Sequence, residues 1–426
     1  MNQVIIIVVT MGAWDFVVGI LVGIILACVS FVVQTSRKSA IRVTYSGEVA
    51  GSTVRRPPIQ QRFLREAGQQ TLVMKLGGYL FFGTIVKVES TIRGLIEEET
   101  FLKRPIRFLI LDFARVYGLD FSAAEAFTRI NRVLWKRNVQ TVISGLDVEG
   151  DVGRSLQNVG LFEPGFPEGV RIFEDLNAAL EYCENAYLKV FYHRRESLLN
   201  RDQDHVPRSS TRYLQVPGAG GPATSSIADY SAVSNSPRRQ YLQEVATTTL
   251  HENESAVRLP RAWASMRQPL PLLLQTFQGL TAGNEDFWFP ACSYFVRECY
   301  LAGSTLYREG DEAGGVYLLE SGMLRAEYDQ PQGQFFELIA AGGTCGELPF
   351  FSETRRTATV KAEQDCVTWC LGVGKWRELR EREPRIAREL LTISLKLTAE
   401  RLDSITRWVC SFQVYLFFFF CLRSLC

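Results

Sequence analysis

The sequence predicts a multi-domain chain: a transmembrane helical segment, then an α/β module with a mixed sheet and helices, then a second folded module around residues 346–360. Three observations predict it. Residues 1–33 are almost wholly apolar. From Thr71 onward the hydrophobic period alternates between that of a strand and that of a helix. Between His193 and Pro260 the composition shifts to Ser, Thr, Pro, Gly, Arg and Gln, which separates two folded parts. A chain of 426 residues with 46% apolar residues can build two or three cores.

The first element is FVVGILVGIILACVSFVV, eighteen residues without a charge, close to the roughly 20 that cross a bilayer. A signal peptide would carry its basic residues before the apolar run. Here Arg37, Lys38, Arg42, Arg55, Arg56, Arg62 and Arg65 follow it against only Glu48 and Glu66, which places everything downstream in the cytoplasm by the positive-inside rule. Gly19 and Gly23 form a GxxxG step that admits a close neighbour helix. The run 4–13 is too short to span, so residues 1–33 read as terminal transmembrane helices of a truncated core, with the chain beginning mid-membrane, and 34–70 as a basic juxtamembrane segment.

The α/β module is expected over 71–192. LVMKL reads as a strand, and Ile85, Val88, Ile92, Leu95 and Ile96 mark one helix face. FLILDF, 108–113, is an apolar run of the kind buried on both faces of a sheet. A helix starts near Ser122, with Ala126, Ile130, Val133 and Leu134 inward and Ser122 as its N-cap. VQTVISG is the next strand, and a last helix gathers Leu176, Ala179, Leu180, Cys183, Ala186, Tyr187 and Val190 on one face. The order βαβαβα gives a sheet with helices packed on it.

Residues 193–286 are expected to be a disordered linker. Its GAGG at 218–221 has no strand before it and no helix after it, so it reads as linker and not as a dinucleotide loop. Ser209, Ser210, Ser234 and Ser236 stand near arginines as candidate phosphorylation sites, and Asn253 heads a glycosylation sequon.

The third module is expected over 287–408, and its centre is GELPFFSETRRTATV, Gly346 to Val360. This stretch sets a carboxylate, a guanidinium and a hydroxyl around one turn. A cyclic phosphate ester on a ribose needs that set: an arginine fork for the phosphate, backbone N–H groups of a helical turn, and a carboxylate to accept from a ribose 2′-hydroxyl. Arg356 and Glu347 take the first and last of these roles. Farther on, Ile386, Leu390, Ile393, Leu397 and Ile405 repeat at helical spacing.

The stretch resembles the phosphate-binding cassette of cyclic-nucleotide-binding domains, with Gly346, Glu347, Leu348, Arg356, Thr357, Ala358, Thr359 and Val360 in step. YLAGSTLYREGDEAGGVYLLESGMLR resembles that family's opening strands, with turn glycines at Gly303, Gly310 and Gly322. The resemblance implies a β-roll with helices, a cyclic GMP or cyclic AMP ligand held by Gly346, Glu347, Leu348, Arg356, Thr357 and Ala358, and a following helix that closes over the base. Thr357 tilts the base toward guanine. Cys345 stands where the family has an aromatic, and Pro349 removes a backbone donor from the turn.

GYLFFGTI, LDFARVYGLDFSAAEAF and SLQNVGLF resemble a STAS domain, the cytoplasmic module after the transmembrane core of SulP anion transporters. Phe121 stands where bacterial relatives of that fold carry a phosphorylatable Ser, which implies an interaction element and not a phospho-switch. A spanning segment, a basic stretch, STAS and a cyclic-nucleotide domain together resemble the carboxyl-terminal part of a fungal-type SulP transporter. That implies an integral membrane protein of the fungal vacuolar or plasma membrane with cytoplasmic carboxyl-terminal domains. Its partners would be the lipid bilayer, a cyclic nucleotide, and either the transporter core helices or a homodimer partner reached through STAS. Too few spanning helices are present to transport. A membrane-anchored or soluble signalling adaptor with the same two domains is the alternative.

Net charge of +1 argues against a nucleic-acid partner. The ten cysteines show no paired CxxC spacing and read as reduced thiols, with Cys366 and Cys370 as core fillers. His193, His205 and His251 are far apart, so no metal site is expected, and no nucleophile with a base partner suggests an enzyme. Residues 409–426 are an apolar tail that reads as a gene-model artefact.

Overall fold

The computed structural model describes residues 16–37, 39–97, 105–162, 169–201, 237–251, 266–330 and 333–402. They fall into two compact units, Met1–Tyr45 with Leu72–Ala179 and Ser46–Thr71 with Leu180–Cys426.

The first unit is built on a sheet whose strands run in the order Ile41–Ser46, Thr71–Leu80, Phe108–Leu119, Gln140–Ser144, Arg171–Phe173. The last three are mutually parallel, with Leu111 opposite Ile143 and Ile143 opposite Ile172. Helices Phe82–Ile96, Phe121–Lys136 and Asp151–Asn158 connect them. Residues 108–113 are buried without alternation, as a strand covered on both faces must be. Ile85, Val88 and Ile92 turn one helix face into the same core as Ala126, Ile130 and Leu134. The N-cap of helix Phe121–Lys136 is Asp120, whose Oδ1 accepts from the Ala123 amide at 2.7 Å. The expected cap, Ser122, lies inside the first turn. Asp120 has the extended backbone that a cap requires, and its Oδ2 also accepts from the Phe82 amide at 3.1 Å.

The expected transmembrane segment is corrected. Among the described residues no helix is long and apolar enough to cross a membrane. The helix Phe16–Arg37 ends in Gln34, Thr35, Ser36 and Arg37, which leaves its apolar part short of the roughly 20 residues that cross a bilayer. Residues 1–15 of the expected hairpin lie outside the described residues.

The second unit contains a β-roll. One sheet runs Val54–Arg55, Gly333–Ala340, Met323–Gln330, Thr359–Ala362, Thr305–Tyr307, and the other runs Thr344–Cys345, Gly315–Ser321, Cys366–Gly372, Val296–Tyr300. Neighbours are antiparallel except the outermost pair, where Val54 lies beside Leu338 and Arg55 beside Ile339 in parallel. Gly303, Gly310 and Gly322 occupy the left-handed backbone region at the turns, as the motif spacing predicts. Leu319, Leu324, Ile339, Cys345, Ala358, Val360 and Cys366 fill the roll. A second core joins Leu273, Phe277, Trp288, Leu318, Phe350, Leu379, Ile386, Leu390 and Ile393. The last three come from a helix over 384–402; Ile405 lies outside the described residues.

Part of the stretch expected as a disordered linker is helical. Leu176–Arg201, Pro237–His251 and Leu270–Thr276 are helices, and Leu270, Leu273 and Phe277 are buried. The apolar LPLLLQTF escapes a composition argument that averages it with its polar flanks. Residues 202–236 and 252–265, with the GAGG stretch, the candidate phosphorylation serines and the sequon, lie outside the described residues, as do 409–426. The stretch read as juxtamembrane is also different: Arg56 is buried and pairs with Glu184 at 3.3 Å and with Asn185 at 2.9 Å.

Candidate functional site

The cassette residues converge at the end of the roll. Gly346 adopts φ +77° and leads into the short helix Glu347–Phe351. A β-carbon on Gly346 would stand 2.2 Å from Nη1 of Arg356, so only glycine lets the guanidinium lie against the backbone there. Arg356 is 3% exposed. Its Nη1 donates to the Gly346 carbonyl at 3.0 Å and its Nη2 to the Gly315 carbonyl at 2.6 Å. Its Cζ lies 4.0 Å from the centre of the Tyr307 ring, which stacks on Tyr317. A cation over an aromatic face in a buried site is held firmly. Nε of Arg356 has no hydrogen-bond partner.

Cys345 fills the place expected of an aromatic ring. Its sulfur is 2.9 Å from the Tyr307 hydroxyl, so the tyrosine brings the ring from strand Thr305–Tyr307 of the other sheet. Burial pushes the Cys345 thiol up to about 11 and the Tyr307 phenol well above its ordinary value. Both stay neutral near pH 7. Ala358 is buried, whereas Leu348 and Thr357 are exposed.

Glu347 is 6% exposed. Its Oε1 is 3.2 Å from Nη1 of Arg55, while Oε2 has no partner. The same Arg55 nitrogen donates to the Thr344 carbonyl at 3.1 Å, and Nη2 reaches Oε2 of Glu337 at 3.2 Å. That oxygen also receives Nη2 of Arg401 at 2.8 Å and the Tyr328 hydroxyl at 3.1 Å, and Arg401 bonds Tyr328 directly. Burial opposes the charge on Arg55, and Glu347 and Glu337 more than offset it, so its guanidinium is held above its usual range. A cavity of about 440 Å³ opens beside this cluster, lined by Arg55, Tyr328, Phe335, Glu337, Glu347 and Arg401 among others. Arg356 does not line it.

The structure therefore brings Gly346, Glu347, Arg356 and Ala358 to one end of the roll and leaves Leu348 and Thr357 on its surface. Sequence reasoning missed Arg55, Tyr307, Tyr328, Glu337 and Arg401. None of the five had a local signal: the residue that precedes Pro57, and so favours extended backbone, is Arg56 and not Arg55.

Residues 297–383 match the family described as Cyclic nucleotide-binding domain, and residues 64–179 match the family described as STAS domain. The chain carries a STAS domain followed by a cyclic nucleotide-binding domain. Over 412 residues, 89% of this chain, it is 32% identical to a vacuolar basic amino acid transporter of Saccharomyces cerevisiae, and spans 39% of that protein's length. The chain is also 29% identical over 119 residues to a cyclic AMP receptor protein of Thermus thermophilus, covering 28% of this chain and 54% of that one. A crystal structure of a cyclic nucleotide-binding domain from Methylobacillus flagellatus aligns with 20% identity and a TM-score of 0.31, over 33% of this chain and 83% of the other. Among the described residues no group of three or more His, Cys, Asp or Glu could hold a metal ion.

Proposed function

We propose that this chain is the regulatory portion of a SulP-like transporter of anions or other solutes, and that its cyclic nucleotide-binding domain takes cyclic GMP or cyclic AMP and adjusts the carrier. The observation that carries this reading is the 32% identity to the yeast vacuolar transporter across 412 residues, a span that includes both domains. By the same relation the vacuolar membrane is the proposed location. The STAS domain is the proposed contact with the transporter core or a second copy.

The site chemistry supports the ligand. Arg356 and Glu347 are nine-tenths buried yet each keeps one polar atom without a partner, Nε and Oε2. Buried polar atoms are normally paired. A phosphate oxygen supplies an acceptor for the first, and a ribose 2′-hydroxyl a donor for the second. Gly346, Leu348, Thr357 and Ala358 complete the proposed site around them.

Calorimetric titration of the full chain with each nucleotide tests the ligand. Arg356→Ala should weaken binding tenfold or more, since a charge-assisted contact is worth about 1.5–3 kcal/mol. No heat with either nucleotide removes the ligand from the reading. To test regulation, this chain replaces the matching stretch of the yeast relative, and basic amino acid uptake by isolated vacuoles is measured. Uptake that responds to nucleotide with the natural chain and not with Arg356→Ala is the expected result.

A further inference from the structure

We propose that Arg55 is a built-in occupant of the site that would read the ribose, so that cyclic nucleotide and the chain's own Arg55 compete for Glu347. This rests on the nucleotide reading and adds a competitor to it.

Glu347 is the carboxylate assigned to the 2′-hydroxyl. Its unpartnered Oε2 is buried and Arg55 holds its Oε1 at 3.2 Å, so a ribose gains the carboxylate only as it turns away from Arg55. The contact is built and not incidental: the Arg55 fork meets three acceptors, the Thr344 carbonyl, Glu347 and Glu337, at 3.1 to 3.2 Å. Two carboxylates, a carbonyl and the Tyr328 hydroxyl beside them form a guanidinium receptor at the mouth of the roll. Val54 and Arg55 bring the guanidinium there by adding two residues in parallel to the edge strand Gly333–Ala340.

The hold is small enough to reverse. Two paired residues make a short ladder, and the Leu338 amide reaches the Thr53 carbonyl at 3.3 Å. The flanking residues are anchored elsewhere, Ser52 and Arg56 on Glu184. Residues 53–55 can therefore lift off the edge strand, taking the Arg55 side chain from Glu347, while Ser52 and Arg56 stay anchored. The neighbouring cavity of about 440 Å³, which Arg55 itself lines, is where the guanidinium can go.

The full chain and Arg55→Gln are titrated with cyclic GMP and cyclic AMP by calorimetry, with circular dichroism checking that both fold alike. Competition predicts that Arg55→Gln binds about tenfold more tightly, 1.4 kcal/mol, and that binding seen only in the variant is the extreme of the same effect. Equal affinity in the two overturns the competition while the nucleotide reading stands. Weaker binding in the variant also overturns it, because Arg55 would then be serving the anionic ligand. Absence of heat in both overturns the competition and the nucleotide reading together. Hydrogen exchange of the natural chain gives a second readout that does not need a variant: saturating nucleotide should speed exchange of the Leu338 amide, and unchanged or slower exchange there counts against displacement.

Discussion

Arg401 donates to Oε2 of Glu337 at 2.8 Å, which ties the helix over 384–402 to the strand Gly333–Ala340 through the same oxygen that receives Arg55. One carboxylate thus joins an amino-terminal strand, a roll strand and the last described helix. Arg401→Gln leaves Glu337 with Arg55 and Tyr328, so the loss should sit near the low end for a contact to a charged group, about 1–2 kcal/mol. Native-state hydrogen exchange checks it: amides of residues 393–402 should exchange roughly tenfold faster, while those of Phe121–Lys136 keep their rates.

Gly346→Ala should damage the cassette from two directions. Its φ of +77° disfavours any β-carbon, and the added methyl would meet Arg356 Nη1 at 2.2 Å. Arg356 cannot simply swing away, because two carbonyls and the Tyr307 ring hold it. The left-handed backbone alone costs about 1–2 kcal/mol. Thermal unfolding followed by tryptophan fluorescence should give a lower midpoint for the variant, and calorimetry should give weaker nucleotide binding.

Asp120→Ala and Ser122→Ala separate the observed cap from the expected one. Asp120 accepts from the amides of Ala123 and Phe82, at 2.7 and 3.1 Å, so its loss should cost roughly 1–2 kcal/mol. Ser122 caps nothing, and surface substitutions of that kind stay within about 0.5 kcal/mol. Urea unfolding of the two variants, read by circular dichroism, should show a clear midpoint decrease for the first and almost none for the second.

Alkaline pH should destabilise the roll within a definite window. Burial raises the Cys345 thiol from 9.0 to about 11, and the Cys370 thiol likewise to about 11. A group raised in the fold lends stability that is complete below its unfolded value and lost as pH climbs through its folded one. The melting midpoint should therefore be flat up to about pH 9 and fall toward pH 11. Cys345→Ala should make that fall shallower, with the remainder due to Cys370, to Cys292 and to the tyrosines that burial also raises, Tyr317 and Tyr328 among them. An unchanged slope would mean that Cys345 ionises without regard to burial.

Local periodicity made most of the first unit legible. Ile85, Val88 and Ile92 announce a helix because their spacing matches its turn, and FLILDF announces a buried strand because it has no polar alternation. The carboxyl-terminal helix was readable from Ile386, Leu390 and Ile393 for the same reason. The cap was not, since Asp120 and Ser122 are both capping residues and only the extended backbone at Asp120 decides between them. Within the cassette, the contact of Gly346 with Arg356 spans only ten positions and lies inside one motif. The partner of Glu347 does not, because Arg55 lies 292 positions away and no local pattern records so distant a pairing. Its charge, pooled with that of its neighbours, suggests a basic juxtamembrane segment, whereas its guanidinium lies between two carboxylates.

The two residues Val54 and Arg55 also cover the margin of the roll. Where they lie, the backbone of Leu338 and Ile339 has its neighbour. Bare edge backbone is an open template of the kind onto which foreign strands readily add. A cover only two residues long thus guards that part of the fold against sticking to itself.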